Sequence, residues 1–326
     1  MANDTAWIER VCAGIEFCVQ KGVDVINLSL GPCSTEFRPD DPLLVATKVA
    51  YDRNIPVVVA AGNFGPGKLQ ALAQAPWVIS VGAVDDDGRL LPNSSTGPLG
   101  GKGPTVVSYG SPLDLENPDP QWEKFVPGTS FAAARVANVA AFVRACLRLT
   151  IADLTAQQSN RWSPMSEPIK VPVIGIVDTG VDPKRLPPLP PFVQGDLLQF
   201  SRGGTERQWY ARIVEALRNA GAACTLTDGP ESVRRALQLM ARRLEGYATH
   251  EVGAGLVSIA EAQAFLSSLT PARWLGIFCP EAVQKLGAAR VAELDTTLGP
   301  LWDPYKVFAL KIHLCDGVRL VVAKVY

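Results

Sequence analysis

A serine lies at the start of an alanine-rich segment, in the stretch Gly128-Thr129-Ser130-Phe131-Ala132-Ala133. Hydrophobic residues recur on all sides of this segment up to about Leu149, which predicts a buried helix. Unpaired N–H groups and the helix dipole favour an anion at a helix N-terminus. The Ser130 hydroxyl is therefore a candidate nucleophile, provided that a base can take its proton. The alternative is a serine that only caps a core helix.

Asn63 is the second candidate, because it directly follows an apolar run and Gly62. A carboxamide placed just after a buried strand can donate an N–H to a developing oxyanion, as acyl-transfer chemistry requires. Gly-Asn is also common in ordinary turns, since Asn tolerates the left-handed conformation. Taken alone, Asn63 would be interpreted as a turn residue.

Short apolar runs alternate with helical segments around these two residues. The sequence predicts helices over 7–21 and 42–53 and strands over 23–31, 55–61, 77–84 and 105–109. This order predicts an α/β fold, a mostly parallel sheet with helices on both faces. Sites in such sheets lie beyond the carboxyl ends of the strands. Gly31, Asn63 and the loop before Ser130 are expected at those ends.

Several motifs together resemble the subtilisin-like serine proteases, or subtilases. They lie at residues 27–31, 58–63, 79–84, 93–98 and 128–130, and the resemblance covers roughly residues 7–147 before resuming at 230–237 and 253–257. It implies that Ser130 is the nucleophile and Asn63 the oxyanion donor. It also implies that an extended peptide substrate pairs with a strand edge. That edge is formed by Leu28, Ser29, Leu30 and Gly31.

Two catalytic motifs of the family depart from this pattern. Subtilases carry an aspartate strand and then a His-Gly-Thr helix ahead of the part matched by residues 7–31. No His-Gly-Thr occurs here, and the histidines of the sequence are His250 and His313. Residues 171–183 resemble the aspartate strand but follow Ser130. We expect 171–178 to dock beside the strand at 25–30 with Asp178 at its end; the alternative is a chance strand and turn.

The resemblance implies peptide hydrolysis through an acyl-enzyme, in which a histidine takes the Ser130 proton and Asp178 orients that histidine. His250 is the candidate base, although a solvated loop histidine is the simpler interpretation, and His313 is predicted to be structural. Without a base we expect impaired turnover unless a second polypeptide supplies the histidine. The alternative function is an inactive peptide-binding or scaffold module.

The sequence after the helix at Ser130 is predicted to form three further regions. We predict a subtilase-like core at 1–149, an insertion at 150–205, closing helices at 206–268 and an accessory α+β unit at 269–326. The insertion contains the aspartate strand and a proline-rich stretch at 187–191, predicted to be a stiff spacer. The accessory unit contains a predicted hairpin around Asp316-Gly317, joining strands at 306–312 and 318–322.

Composition restricts the possible partners. The 31 basic and 32 acidic residues give no net field to recruit nucleic acid or an anionic membrane. Seven scattered cysteines without a CxxC pair predict free thiols, with no zinc cage and no complete disulfide framework. No cofactor is expected. Structural calcium is common in the family, yet no Asp/Asn cluster has recognisable ligand spacing. No signal peptide or membrane span is visible in the sequence. Free thiols also favour a cytoplasmic location, whereas most members of the resembled family are exported.

Overall fold

The computed structural model describes residues 5–32, 34–111, 127–158, 173–178, 227–267, 270–278, 280–298 and 319–324. Its strands are β1 (Val25–Leu28), β2 (Val57–Ala60), β3 (Ile79–Val84), β4 (Val106–Tyr109), β5 (Val173–Asp178) and β6 (Arg319–Lys324). Its helices are α1 (Thr5–Gln20), α2 (Pro42–Asp52), α3 (Thr129–Gln158), α4 (Pro230–Met240), α5 (Thr249–Val252), α6 (Ile259–Ser267), α7 (Pro271–Phe278) and α8 (Pro280–Leu298). A short 3₁₀ turn covers Leu72–Gln74.

The strands form one parallel sheet in the order β4-β3-β2-β1-β5-β6. β1 lies between β2 and β5, with Ile26 opposite Val57 on one side and Val25 opposite Ile174 on the other. The predicted docking of residues 171–178 beside the strand at 25–30 is thus confirmed. β6 lies outside β5 and runs parallel to it.

Both faces of the sheet are covered, which is why its strands are continuous apolar runs rather than alternating ones. Successive side chains point to opposite faces. Val25 joins a hydrophobic cluster with α3 and α4, whereas Ile26 joins a second cluster with α1 and α2. The predicted α/β fold with helices on both faces is confirmed.

The helix that begins near Ser130 is the central element of one face. Small side chains of α3 are fully buried against the sheet, among them Ala132, Ala133 and Ala140. Alanine lets the helix axis approach the strands closely, so the position of its first turn is fixed by packing along its length. The helix continues to Gln158, beyond the predicted end near Leu149.

A buried charge cluster fixes α3 and β5 at the edge of the sheet where the strands begin. Arg144 and Arg148 both bind the Asp228 carboxylate, at 3.0 and 2.8 Å, and Arg148 also binds Asp24 at 2.9 Å. Asp24 Oδ2 accepts the N–H of Val173 at 2.8 Å, and the backbone N–H of Asp24 donates to the Val173 carbonyl at 2.7 Å. The cluster therefore holds β5 beside β1.

Charge outweighs burial at the centre of this cluster. Burial by itself raises the pKa of Asp228, but the positive charges and hydrogen bonds of Arg144 and Arg148 act against it. The net result is a pKa below that of an ordinary aspartate. The carboxylate is therefore ionised at neutral pH and balances the buried guanidinium of Arg144, whose side chain is 7% exposed.

Several predictions for the second half fall outside the described residues. These are the proline-rich stretch at 187–191, the first part of the predicted closing helices up to residue 226, the strand at 306–312, and His313. Of the predicted hairpin, the described part is β6, which pairs with β5 in the main sheet. Ile277 and Phe278 of α7 join the same hydrophobic cluster as α3. The domain boundaries stay a prediction.

The described residues also bear on the predicted thiols and on membranes. Cys12 and Cys18 are free, and burial raises the pKa of the Cys18 thiol to about 11. A thiol with that pKa stays protonated at neutral pH and is a poor nucleophile. No helix within the described ranges combines the length and hydrophobicity needed to cross a membrane.

Candidate active site

The candidate site lies at the carboxyl edge of the sheet, which we define as the edge formed by residues 29–31, 61–63 and 128–130. β1 ends at Leu28 and β2 ends at Ala60, and parallel strands deliver both ends to the same side. The first turn of α3 begins there at Thr129. Three chain segments far apart in sequence therefore meet at this edge.

Ser130 and Ser29 exchange two hydrogen bonds across this edge. The Ser130 hydroxyl donates to the Ser29 carbonyl at 3.1 Å, and the Ser29 hydroxyl donates to the Ser130 carbonyl at 2.8 Å. Ser130 is half-buried, in the first turn of α3. A backbone carbonyl orients a hydroxyl but is too weak a base to take its proton. The nucleophile candidate is thus held in place but is not activated by this contact.

Asn63 contacts the residues immediately before Ser130. Its Oδ1 accepts the backbone N–H of Thr129 and the Thr129 hydroxyl, both at 3.0 Å. A backbone N–H can only donate, so these bonds identify which carboxamide atom is the oxygen. The Nδ2 donors of this exposed residue are consequently left for another acceptor. The structure brings Asn63 and Ser130 together at one edge, while their catalytic roles stay predictions.

The Thr129 hydroxyl links the start of α3 to the residues just after β2. Close packing against Asn63 also requires a glycine at position 128. Thr129 is fully buried, and its Oγ1 accepts the N–H of Gly62 at 3.2 Å. A Cβ built on Gly128 would lie 2.9 Å from Asn63 Nδ2 and 3.0 Å from Oδ1. Any larger residue at 128 would push the carboxamide away, so Gly128 allows Asn63 to approach the helix start.

The motif at 93–98 has a structural task that the sequence did not reveal. Asn93 Nδ2 donates to the Pro127 carbonyl at 2.9 Å, just before the first turn of α3. Ser95 donates its backbone N–H to the Gly62 carbonyl at 2.9 Å, and its hydroxyl accepts the N–H of Phe64 at 3.0 Å. The motif therefore braces both the Asn63 loop and the approach to Ser130.

The four predicted substrate-pairing residues divide into two groups. Leu28 is buried within β1 and paired with Val59. Ser29, Leu30 and Gly31 continue beyond the strand and are half-buried, and no strand within the described ranges pairs with them. Their backbone is thus the part of the motif to which a peptide could add.

Gln70, which the sequence interpretation missed, fixes the far end of that segment. It is 3% exposed, and its Nε2 donates to the Ala60 carbonyl at the end of β2. Its Oε1 packs on Gly31 so closely that a Cβ there would overlap it. Gln70 therefore ties the segment at 29–31 to β2, across a separation in sequence that no local pattern reveals.

Asp178 and His250 occupy different places relative to Ser130. Asp178 is the last residue of β5, the strand beside β1, and so lies at the carboxyl edge. His250 is half-buried in the short helix α5, rather than in the predicted loop. Its carbonyl accepts the N–H of Gly97 at 2.8 Å and packs on Gly103, in the segment leading to the start of β4.

No described contact joins His250 to either Ser130 or Asn63. Among the described residues, the Ser29 carbonyl is the one partner of the Ser130 hydroxyl, so no imidazole or carboxylate there is bonded to it. The described residues also contain no group of three or more His, Cys, Asp or Glu side chains that could hold a metal ion. The roles of Asp178 and His250 stay predictions.

Comparison with known proteins matches the first half of the chain to one family. Residues 2–158 match the model of the subtilase family. The chain is 28% identical over 167 residues to serine protease AprX of Bacillus subtilis, covering 41% of this chain and 38% of AprX. It is 31% identical over 151 residues to M-protease of Shouchella clausii, covering 44% of this chain and 35% of the relative.

Other matches are shorter or structural. The chain is 37% identical over 86 residues to Subtilisin-like protease SBT3.9 of Arabidopsis thaliana, covering 26% of this chain and 11% of that protein. It thus spans well under half the length of these curated relatives. Among solved structures, the prenylagaramide maturation protease PagA is 19% identical, with a TM-score of 0.44, and the match covers 77% of this chain and 65% of PagA.

Proposed function

Because this chain belongs to the subtilase family through residues 2–158, we propose that it is a serine endopeptidase domain that forms an acyl-enzyme on Ser130. The observation that supports this proposal is the link between Asn63 and the first turn of α3. The Thr129 N–H donates to Asn63 Oδ1 at 3.0 Å, which holds the carboxamide beside the residue that precedes Ser130.

In this proposal the Ser130 Oγ attacks the scissile carbonyl carbon of an extended peptide. The carbonyl oxygen becomes an oxyanion, which accepts hydrogen bonds from Asn63 Nδ2 and from the backbone N–H of Ser130. The first N–H groups of a helix have no partner within the helix, so that donor is available. Collapse of the intermediate expels the amine and leaves an ester on Ser130, which water then hydrolyses.

The substrate is held by main-chain pairing with residues 29–31, which follow β1, are half-buried and are paired with no strand in the described ranges. Peptide binding there places the substrate backbone next to the residues that exchange hydrogen bonds with Ser130. The substrate class we propose is therefore an extended peptide or protein segment.

The proton of Ser130 requires a base, and the described contacts of Ser130 include none. The candidates are His250 and a histidine of a second polypeptide; the imidazole takes the Ser130 proton and returns it to the leaving amine, and Asp178 at the end of β5 orients it. The position of His250 beside Gly97 and Gly103 does not favour it for this role.

Labelling with a fluorophosphonate tests the proposal directly, because the reagent modifies an activated serine. We expect labelling of the wild-type protein and its loss in Ser130→Ala. The matched control is Ser258→Ala, since Ser258 also stands before a helix and accepts the N–H of Ala260 at 3.1 Å. Labelling that survives Ser130→Ala, or wild-type protein that is never labelled, would exclude the proposal.

A second candidate function is the binding of extended peptides without cleavage. The observation that favours it is the donation of the Ser130 hydroxyl to the Ser29 carbonyl rather than to a base. Fluorescence anisotropy with a labelled extended peptide distinguishes the two functions when combined with mass spectrometry of the peptide. Saturable binding with an intact peptide and no fluorophosphonate labelling would support this second function.

A further inference from the structure

Asn27 is a polar residue in β1, a strand that is buried along its whole length. Its neighbours in β1 are Val25, Ile26 and Leu28, all fully buried, and Asn27 itself is 4% exposed. Alternation along the strand places it on the same face as Val25, the face covered by α3. A hydrophobic residue is expected at such a position, so the carboxamide needs a reason to be there.

Hydrogen bonding within the sheet does not provide that reason. Asn27 Nδ2 donates to the Ser29 hydroxyl at 3.0 Å, but Oδ1 is buried and has no hydrogen-bond partner among the described residues. An unpaired buried acceptor costs free energy, because it has lost its water without gaining a donor. Asn27 therefore lowers the stability of the fold through one of its atoms.

Its other atom is connected to Ser130. The Ser29 hydroxyl accepts from Asn27 Nδ2 and must send its own proton elsewhere, and that proton goes to the Ser130 carbonyl at 2.8 Å. Without a donor at residue 27, the Ser29 hydroxyl is free to rotate away from the helix. The chain Asn27–Ser29–Ser130 thus couples the interior of β1 to the first turn of α3.

We infer that Asn27 is a positioning residue for Ser130, acting through the Ser29 hydroxyl and present at a cost in stability. This inference rests on the proposed function of Ser130 as a nucleophile. Asn27 does not touch the reacting atoms. It fixes the Ser29 proton on the Ser130 carbonyl, which holds the helix start against the segment at 29–31 and so holds the Ser130 hydroxyl where substrate binds.

The test uses Asn27→Val, which removes both the donor and the unpaired acceptor. Fluorophosphonate inactivation is measured at several reagent concentrations, which separates the maximal rate of modification from the affinity for the reagent. We expect the maximal rate to fall about 5- to 10-fold, the effect of losing one neutral hydrogen bond, with little change in affinity. We expect the melting temperature to stay unchanged or to rise.

Ser80→Ala is the matched control, a buried polar residue on β3 with no connection to Ser130. Ser80 Oγ accepts the N–H of Thr105 at 3.0 Å and lies 3.3 Å from the Thr105 hydroxyl, so its removal loses buried hydrogen bonds, although that N–H keeps the Ser80 carbonyl at 2.8 Å. We expect a lower melting temperature and an unchanged maximal rate. A purely structural role for Asn27 would instead produce the Ser80→Ala result in Asn27→Val.

Asn27→Ala guards against overpacking by valine, since alanine removes the donor without adding volume. Both Asn27 variants must lower the maximal rate, and an unchanged rate in either overturns the inference. If the wild-type protein is not labelled, the proposed function fails, and hydrogen exchange then decides the inference separately. Faster exchange in peptides covering 128–134 of Asn27→Val, but not of Ser80→Ala, supports the positioning role; equal exchange overturns it.

Discussion

The two edges of the sheet hold the same helix by different kinds of bond. At the carboxyl edge, neutral hydrogen bonds from Ser29 and Asn63 hold the first turn of α3. At the opposite edge, the charge cluster of Asp24, Asp228 and two arginines holds the middle of α3. Ser130 and Arg144 are about 21 Å apart along the helix axis, given a rise of about 1.5 Å per residue.

This difference in bonding indicates that one edge mainly stabilises the fold and the other carries the candidate site. The charge cluster is buried, balanced and far from Ser130, so its contribution is to hold β5 and α3 on the sheet. The carboxyl edge is half-exposed and keeps free donors, which suits a site that must exchange water for substrate. We therefore expect substitutions at the carboxyl edge to lower activity and substitutions in the charge cluster to lower stability.

The largest expected effect is at the carboxyl edge, in Asn63→Asp. The carboxylate keeps the acceptor that binds Thr129 but has no N–H to donate and adds a negative charge beside the oxyanion. We expect the rate of fluorophosphonate modification to fall by about 10²–10³-fold, the usual effect of removing one oxyanion donor. The melting temperature should change little, and a large drop in it would show that the comparison is wrong.

At the opposite edge, Asp228→Asn removes the charge that balances the buried guanidinium of Arg144. We expect the free energy of unfolding to fall by about 3 kcal/mol, as when one partner of a buried ion pair is removed. Urea denaturation measures this change. The modification rate of the protein that remains folded should match the wild type, and a tenfold slower rate would contradict the separation of the two edges.

Gly128→Ala is expected to have a smaller effect at the carboxyl edge. The added methyl group would lie 2.9 Å from Asn63 Nδ2, so the carboxamide must shift. We expect a loss of about 1–2 kcal/mol in the free energy of unfolding, typical of overpacking. The modification rate should fall about tenfold. Gly88→Ala serves as control, because Gly88 has a φ of 82° and its strain lies away from Asn63, which should leave the rate intact.

The smallest effect is a pH dependence at the charge cluster. The pKa of Asp228 lies below its ordinary value, so its stabilising effect is complete above about pH 4 and is lost as the pH falls through the native pKa. We expect the melting temperature of the wild type to fall more steeply below pH 4 than that of Asp228→Asn. Parallel curves for the two proteins would show that Asp228 is not the titrating group.

Local patterns were sufficient for the elements that carry the site. Strands β1 to β4 are apolar runs with glycine, asparagine, proline or aspartate near their ends, and the buried helix at Ser130 has hydrophobic residues on all sides. These signals depend on neighbours in sequence, so the sequence predicted the α/β fold and the positions of Ser130 and Asn63. The docking of β5 was predicted from resemblance rather than from periodicity.

Tertiary structure decided the contacts that give those residues a geometry. Ser29 meets Ser130 across 101 positions, and Asn63 meets Thr129 across 66. Asp24 and Val173 are 149 positions apart. No pattern of nearby residues specifies which of many buried polar groups will pair, because that depends on how the strands stack and where the helix lies.

The sequence by itself therefore determined which residues could do chemistry and the kind of sheet that presents them. Only the folded chain decided that Asn27 and Ser29 hold the first turn of α3. It also decided that the His250 backbone packs against Gly97 and Gly103. The physical reason is that secondary structure follows from local periodicity and backbone preference. Hydrogen bonds between distant segments are selected only when the whole core packs.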